Sequence, residues 1–276
     1  MPELPEVEVT RRALAPYVER QTVESVLVRD PRFRWPVPPR LPALLAGRTV
    51  GQLHRRGKYL LWEFVHGTLI SHLGMSGAWR VWPRRAVPPP GTHDHVDLLF
   101  SAACVRLTDP RRFGALLWHD ARKGDVTAHP LLAGLGIEPF DARFDGAWLY
   151  RHTRSRVTSI KKVLLGGDVV VGVGNIYASE SLFRARISPK RSARRIGLVR
   201  YQALATAVRE VLTEAIAVGG STLRDFVGAD GSDGYFMLDA RVYARAGEPC
   251  RVCATPIVRV VQGQRATFYC RVCQKR

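Results

Sequence analysis

The stretch Met1-Pro2-Glu3-Leu4-Pro5-Glu6-Val7-Glu8 opens the chain and leads into its first predicted helix. The second proline of this stretch suits the first turn of a helix, and the glutamates that follow suit the positive end of the helix dipole. Val7, Leu14 and Val18 form an apolar stripe at helical spacing. The sequence therefore predicts a helix over 5–19 that holds residues 2 and 3 at its N-terminal end.

The residues at the start of this helix also carry chemistry. Proline after an initiator methionine is common, and efficient removal of the methionine explains it without any function. Removal of Met1 would nevertheless leave a secondary amine on Pro2, and an α-amino group with a pKa of about 7.7–8.0 is partly uncharged near neutral pH. Attack by this amine on a sugar carbon gives an iminium, and the neighbouring Glu3 could shuttle protons.

Composition limits the classes of protein to consider. With 276 residues and 46% apolar content, the chain can form one large domain or two ordinary ones. The 42 Lys and Arg outnumber 24 acids and give a net charge of +18, which indicates a polyanionic partner, most simply nucleic acid. The alternative explanation for the excess of basic residues is a GC-rich genome that favours arginine codons.

The sequence also bears on location. No apolar run reaches the length of a membrane span, so we expect no membrane partner. The N-terminus lacks a signal-peptide pattern, which predicts a cytoplasmic protein. In that compartment the five cysteines should be thiols or metal ligands rather than disulfides.

Between the first helix and residue 118 the pattern changes to short alternating runs separated by Gly and Pro clusters. The strand candidates are Val23–Arg29, Thr49–Arg55, Tyr59–Phe64, Thr68–Leu73, His95–Phe100, Val105–Asp109 and Ala115–Trp118. Several short strands at this spacing predict a β-sandwich or barrel.

Three turns in this half carry unusual polar residues. The cations of Arg55–Tyr59 mark either a functional strand end or a solvated edge, and His72–Gly77 presents either an exposed or a buried methionine. The third turn, Asp109–Gly114, places two arginines and one aromatic at its tip. An exposed aromatic beside arginine suits insertion into a base stack.

The second half is helical after a loop-rich stretch over 124–150. Helical patterns cover Trp148–Ser155, Ile160–Leu165, Ile176–Phe183 and Arg200–Val218. Val171–Tyr177 contains two glycines and an asparagine before a helix, and the free N–H groups of such a turn can hold an anion. A Gly-rich stretch between 219 and 234 predicts a loop.

The C-terminus carries two cysteine pairs, Cys250-Arg251-Val252-Cys253 and Cys270-Arg271-Val272-Cys273, separated by sixteen residues. This is the spacing of a zinc ribbon, with strands at 256–261 and 266–269 and a turn at 262–264. Because four thiolates leave no open coordination position, the one zinc ion is structural and not catalytic. Cys104 lies in an apolar strand and is expected in the core.

Together these stretches resemble the formamidopyrimidine-DNA glycosylase family, bacterial base-excision repair enzymes for oxidised purines. The family opens with the same Pro-Glu-Leu-Pro-Glu-Val-Glu and shares Arg-Arg-Gly-Lys-Tyr, His-Leu-Gly-Met-Ser-Gly, His-Asp-His-Val-Asp, Asp-Pro-Arg-Arg-Phe-Gly, Gly-Val-Gly-Asn-Ile-Tyr-Ala and Gln264–Cys270. The resemblance covers essentially the whole chain. The related endonuclease VIII group typically has Gly where this chain has Leu4, which favours the purine-specific branch.

The resemblance implies an α+β fold in four parts. These are a helix and β-sandwich over 1–132, a linker over 133–150, a helix–two-turns–helix region over 151–241 and a zinc-ribbon finger over 242–276. It implies damaged double-stranded DNA as the partner, bound between the halves by a monomer in the bacterial cytoplasm, associated with the nucleoid. It implies no organic cofactor.

Catalytic roles follow from matching positions. Pro2 would be the Schiff-base nucleophile, and Glu3 the acid and base that assists opening of the sugar. Lys58 is similar to the family's proton donor in β-elimination. Arg265 matches its donor for δ-elimination and phosphate contact.

The resemblance also implies DNA contacts. Met75, Arg111 and Phe113 match the trio that fills the gap left by the extruded base, with Arg111 facing the orphaned cytosine. Further DNA-contacting positions match His93, Arg156, Lys161 and Asn175, together with Arg111. The stretch Ser221–Tyr235 corresponds to a loop that closes over the damaged base.

One departure concerns the helix before the Gly-Asn turn. Where the family often has Asp-Gln or Asp-Asn, this chain has Gly166-Gly167, which we expect to cost roughly 1 kcal/mol each in helix stability.

Two rival functions also stay open. They are an endonuclease VIII-like glycosylase for oxidised pyrimidines and a non-enzymatic zinc-ribbon DNA-binding protein.

Overall fold

A computed structural model of the protein describes residues 2–221 and 236–275, with backbone alone at 237 and 238. These residues form two compact units, 2–133 with 218–221 and 134–217 with 236–275. The four-part division predicted from the sequence stays a prediction. The loop expected over Ser221–Tyr235 lies, beyond its first residue, outside the described part.

The described chain contains seven α-helices and twelve strands, besides short 3-10 turns. The helices are α1 Leu4–Val18, α2 Leu41–Leu45, α3 Pro130–Ala133, α4 Gly146–Thr153, α5 Ile160–Gly166, α6 Asn175–Arg184 and α7 Leu198–Ala217. The strands are β1 Thr22–Val23, β2 Ser25–Val28, β3 Arg48–Thr49, β4 Leu53–Arg56, β5 Tyr59–Phe64, β6 Gly67–His72, β7 Ala78–Pro83, β8 Asp94–Leu99, β9 Ala103–Thr108, β10 Ala115–Asp120, β11 Val258–Gln262 and β12 Arg265–Tyr269.

Helix α1 forms where the sequence predicts it. Glu3 is its N-cap, and Glu3 and Glu6 exchange side-chain and backbone hydrogen bonds as a capping box. The stripe of Val7, Leu14 and Val18 is fully buried. The cap and the stripe together fix both the start of the helix and the face that it turns to the core.

Two four-stranded antiparallel sheets form the core of the first unit. Their strand orders are β10-β6-β5-β4 and β2-β8-β9-β7. Trp62 of one sheet lies 5.4 Å from Trp79 of the other between ring centroids, and the Trp79 indole N–H donates to Ser71 Oγ at 2.9 Å. The sheets therefore face each other as the predicted sandwich.

The second unit is helical and ends in a hairpin. Helices α4 and α6 both pack on α7, and strands β11 and β12 pair through all five of their residues. The hairpin turns at Gly263-Gln264, whose φ angles of 54° and 61° are those of a two-residue type I′ turn. The turn is thus shorter than the predicted 262–264, and Arg265 is the first residue of β12.

The glycines of α5 correct an expectation. Gly166 ends the helix, but Gly167 lies beyond it as the C-cap with φ of 77°. This left-handed position favours glycine, so Gly167 suits the helix end rather than weakening its interior.

Candidate functional site

The amino end of α1 brings two of the predicted catalytic residues together. Pro2 and Glu3 are both buried, with Glu3 only 2% exposed. The Glu3 backbone N–H donates to Glu6 Oε2 at 2.7 Å. The first turn of α1 therefore fixes the backbone next to Pro2.

Glu6 also holds the far end of this unit's sequence. Its Oε1 accepts hydrogen bonds from the backbone N–H and the hydroxyl of Ser221, both at 2.8 Å. Gly220, with φ of +84°, lies so close that an added Cβ would sit 3.1 Å from the same oxygen. The three-residue spacing of Glu3 and Glu6 is that of a capping box, so the sequence could have indicated the hydrogen bond between them. No local sequence pattern indicates the contact between Glu6 and Ser221.

Lys58 lies in the turn between β4 and β5. Burial, and then the charges of Lys58 and Arg34, lower the pKa of His72 to about 4. His72 is therefore neutral near pH 7, and its Nδ1 accepts a hydrogen bond from the backbone N–H of Gly74 at 3.0 Å. Tyr59 covers the same imidazole with ring centroids 4.7 Å apart. Lys58 therefore lies near a neutral imidazole ring that accepts a hydrogen bond.

The turns that carry Met75 and Phe113 touch each other. Gly74 has φ of +62°, and a Cβ there would lie 2.4 Å from the carbonyl carbon of Phe113. Only glycine fits this approach, because the neighbouring atoms are backbone. The structure therefore brings together the two turns that carry Met75 and Phe113, which are two of the three residues predicted to fill the gap in the base stack.

Asp109 accepts hydrogen bonds that fix the loop carrying Arg111, the third residue of this trio. Its Oδ1 accepts from Ser76 Oγ at 2.8 Å and from the backbone N–H of Arg111 at 3.3 Å, and its Oδ2 accepts from the backbone N–H of Gly114 at 2.9 Å. Asp109 is fully buried. Aspartate at the start of a turn often accepts hydrogen bonds from the backbone of that turn, so the sequence could have indicated this role.

The two arginines of this loop differ in their partners. Arg112 has φ of 53° and forms an ion pair with Asp30 at 2.8 Å. The Arg111 guanidinium lies 5.0 Å from the ring centroid of Phe113, which is 45% exposed. The cation and the aromatic ring thus form one exposed tip.

A pocket of about 480 Å³ adjoins this tip. It is lined by Arg32, Phe33, Arg34, Arg111, Arg112 and Phe113. Nearby, His93 accepts a hydrogen bond from the backbone N–H of Asp109 at 3.0 Å through its own carbonyl. The predicted DNA-contacting residues of this unit therefore lie around Asp109.

In the second unit, Lys161 and Asn175 converge on the hairpin. The Lys161 ammonium donates to the carbonyl of Ala266 at 3.0 Å and to Thr267 Oγ1 at 2.9 Å, and the Asn175 amide donates to the same carbonyl at 3.0 Å. Lys161 is fully buried. Both side chains thus support the strand that begins at Arg265, and their contact with phosphate stays a prediction.

Arg156 has a partner that the sequence did not reveal. Its guanidinium forms an ion pair with Asp168 at 2.6 Å, and both side chains are half-exposed. Asp168 directly follows Gly166-Gly167, the two glycines that differ from the residues common in the family. A phosphate contact by Arg156, which stays a prediction, would compete with this carboxylate.

The four paired cysteines form a metal site. Their sulfur atoms all lie within 4.8 Å of one another, and those of Cys250–Cys273 and Cys253–Cys270 are 3.9 and 3.5 Å apart. Tetrahedral zinc with bonds of about 2.3 Å requires sulfurs about 3.8 Å apart, so the cluster fits one structural zinc ion. Cys104 is a core residue, and burial raises the pKa of its thiol to about 11.

The combination of a β-sandwich, a helical unit and a four-cysteine finger on a chain with a net charge of +18 is typical of DNA glycosylases that carry a zinc finger. Three family models match in sequence: the formamidopyrimidine-DNA glycosylase N-terminal domain over 1–116, its H2TH domain over 135–227, and the zinc finger found in FPG and IleRS over 247–276. The chain belongs to the formamidopyrimidine-DNA glycosylase family.

Relatives and solved structures agree along the full length. The chain is 60% identical over 275 residues to the formamidopyrimidine-DNA glycosylase of Herminiimonas arsenicoxydans and 61% identical over 277 to that of Bordetella petrii, with 100% of each chain covered.

Among solved structures, the MutM (FPG) protein of Thermus thermophilus is 40% identical, with a TM-score of 0.87 and 99% and 98% coverage. Lactococcus lactis Fpg in complex with abasic-site DNA is 32% identical, with a TM-score of 0.90 and full coverage of both chains. None of the helices within residues 2–221 and 236–275 combines the length and the apolar composition that a membrane span requires.

Proposed function

We propose that this enzyme excises oxidised purines, namely 8-oxoguanine and formamidopyrimidines, from duplex DNA and then cleaves the strand by β,δ-elimination. The observation that carries the proposal is the burial of Pro2 and Glu3 at the first turn of α1. The solved complexes of Lactococcus lactis Fpg with abasic-site DNA and with N7-benzyl-Fapy-dG DNA support the substrate class.

Base excision begins at Pro2. Once Met1 is removed, the prolyl nitrogen bonds to C1′ of the sugar and loses its proton while the base departs protonated. Glu3 transfers a proton to the ring oxygen as the sugar opens to an iminium. The positive end of the α1 dipole disfavours a charged amine at this position, and so favours the nucleophilic form.

Strand cleavage follows from the iminium, which acts as an electron sink. Loss of a proton from C2′ breaks the bond between C3′ and its oxygen, and the 3′-phosphate leaves with that oxygen. In the second elimination, loss of a proton from C4′ breaks the bond between C5′ and its oxygen, and the 5′-phosphate leaves. Lys58 serves as proton donor in the first elimination and Arg265 in the second.

Access to the damaged base requires its extrusion from the duplex, at a cost of a few kcal/mol. Met75, Arg111 and Phe113 fill the gap and restore part of the lost stacking. Arg111 reads the orphaned cytosine. His93, Arg156, Lys161 and Asn175 hold the phosphate backbone, and a net charge of +18 supports a DNA partner. We propose that the enzyme acts as a cytoplasmic monomer associated with the nucleoid.

Borohydride trapping on two duplexes tests the substrate class. One duplex carries 8-oxoguanine opposite C, and the other carries thymine glycol. The proposal predicts a covalent adduct that forms much faster on the first duplex. Faster trapping on thymine glycol would assign the chain to oxidised pyrimidines instead.

A further inference from the structure

The two zinc knuckles present the same pair of residues between their cysteines, Arg251-Val252 and Arg271-Val272. Both valines are exposed, at 63% and 51%. Valine is among the residues most often buried, so two exposed valines side by side on a small finger form an apolar surface available for contact. Neither valine is needed to bind zinc, since the metal ligands are the flanking cysteines.

These valines line a cavity of about 580 Å³, which we name the knuckle pocket. Its walls include Val252, Val272 and Cys273 from the finger with Arg186, Arg200 and Lys275. The pocket thus combines an apolar surface with a rim of three cations.

The cations of the knuckle pocket are not neutralised within the described chain. Arg200 donates to the carbonyl oxygens of Arg186 and Lys275, both at 3.1 Å, which joins the walls without cancelling charge. No carboxylate of residues 2–221 and 236–275 forms an ion pair with any of these three. The adjoining cavity shares Arg186 with the knuckle pocket but also carries acids, and there Arg184 is paired with Glu214 at 2.6 Å. Among the residues that the structure describes, the lining of the knuckle pocket itself contains three cations and no acid.

The position of the pocket separates it from the hairpin tip. Strands β11 and β12 have five residues each, so the hairpin extends roughly 17 Å from the knuckles to its turn. Lys161 and Asn175 meet the hairpin near the turn, at Ala266. A nucleic-acid backbone would match the cations of the pocket, but its phosphates offer no apolar group to cover Val252 and Val272.

We propose that the knuckle pocket is a docking site for a partner protein, through an acidic peptide segment that carries apolar side chains. Its carboxylates meet Arg186, Arg200 and Lys275, and its apolar side chains cover the two valines. Such mixed recognition combines an apolar centre with a charged rim.

Fluorescence anisotropy with the full-length, zinc-loaded enzyme tests the site. The probe is a labelled octapeptide of alternating aspartate and leucine. Saturable binding is expected, and the double variant Val252→Ser with Val272→Ser should bind about tenfold more weakly, because the apolar contact is lost. Lys275→Gln with Arg186→Gln should weaken binding and reduce its salt dependence.

A matched control is Val261→Ser, since Val261 is 65% exposed on the same hairpin but lies towards the turn. It should bind the peptide like the unaltered enzyme. One zinc per chain in every variant shows that the finger is folded. Equal binding by the double valine variant would overturn the proposal. The proposal would also be overturned if a peptide with glycine in place of leucine bound equally well. It would be overturned too if the enzyme bound no peptide and the same variants lost oligonucleotide binding.

Discussion

The Glu6 carboxylate accepts two hydrogen bonds from Ser221, one from its backbone N–H and one from its hydroxyl, across 215 residues of sequence. The other oxygen of the same carboxylate accepts the backbone N–H of Glu3 at 2.7 Å. One buried acid therefore ties the residue beside Pro2 to the segment in which Ser221 lies.

Replacing this acid should destabilise the fold. In Glu6→Gln the amide NH₂ would face N–H and O–H donors, and we expect a loss of about 1–3 kcal/mol in the free energy of unfolding. Urea denaturation measures this loss. Glu63→Gln is the control, because the Glu63 side chain forms an exposed pair with His54 and no other ion pair within residues 2–221 and 236–275. This replacement should change stability by less than about 0.5 kcal/mol. Equal effects of the two variants would show that Glu6 does not hold the fold.

The stability of the fold should depend on pH through Glu8. Burial alone would raise its pKa, but the hydrogen bonds and charges of Arg11, Arg12 and Arg55 outweigh burial and lower the pKa from 4.5 to about 2. Because the folded-state pKa lies below the unfolded one, ionised Glu8 stabilises the fold above about pH 4.5, and this contribution is lost as the pH falls towards 2.

Glu8→Gln should thus lower stability at neutral pH by up to about 3 kcal/mol and flatten the loss of stability between about pH 4.5 and 2. Unfolding curves at several pH values measure this slope. An unchanged slope would mean that the arginines around Glu8 do not stabilise its charge.

Discrimination of the opposite base should depend on Arg111. Arginine is a pure donor. Cytosine offers two acceptors, O2 and N3, on its Watson–Crick edge, whereas adenine offers N1 beside a donor amino group, a difference of roughly 1–3 kcal/mol. Arg111→Ala should lower kcat/KM opposite C far more than opposite A. Phe113→Ala should slow both alike, because a stacking wedge does not distinguish bases.

Arg112→Ala is the matched control for this experiment. Arg112 is the adjacent arginine, and its side chain is already paired with Asp30. Its replacement should leave the C-over-A ratio intact. If Arg111→Ala left the ratio unchanged and Arg112→Ala altered it, Arg112 would be the residue that reads the base.

Zinc should be required for the finger and for DNA binding. We expect one zinc per chain, and Cys250→Ser should release it and weaken DNA binding, because the hairpin that carries Arg265 loses its frame. Elemental analysis and binding to an abasic duplex measure both effects. Cys104→Ser is the control and should keep its zinc. Purified active protein without zinc would contradict this account.

The sequence predicts the elements whose periodicity is strong. Helix α1, the helices of the second unit and the finger follow from apolar spacing, capping and cysteine pairs. The alternating pattern does not predict strand β7, Ala78–Pro83. It is an edge strand that ends in proline, and proline tolerates an edge but disrupts a local strand pattern.

The supporting contacts of the candidate site could not be predicted in the same way. Asp109 meets Ser76 across 33 residues, and Arg112 meets Asp30 across 82. Such pairs arise only when distant turns are brought together by the sandwich. The motifs pointed to the turns themselves, and the long-range partners that fix their shape are visible only in the folded chain.

The central claim is that Pro2 attacks the sugar. Borohydride trapping on 8-oxoguanine opposite C, followed by mass spectrometry of the adduct, should locate the DNA on the nitrogen of Pro2 in a chain that has lost Met1. Pro2→Gly should keep DNA binding but slow strand cleavage, and Glu3→Gln should lose base excision. Full excision by a chain that retains Met1, or an adduct on a lysine, would contradict the account.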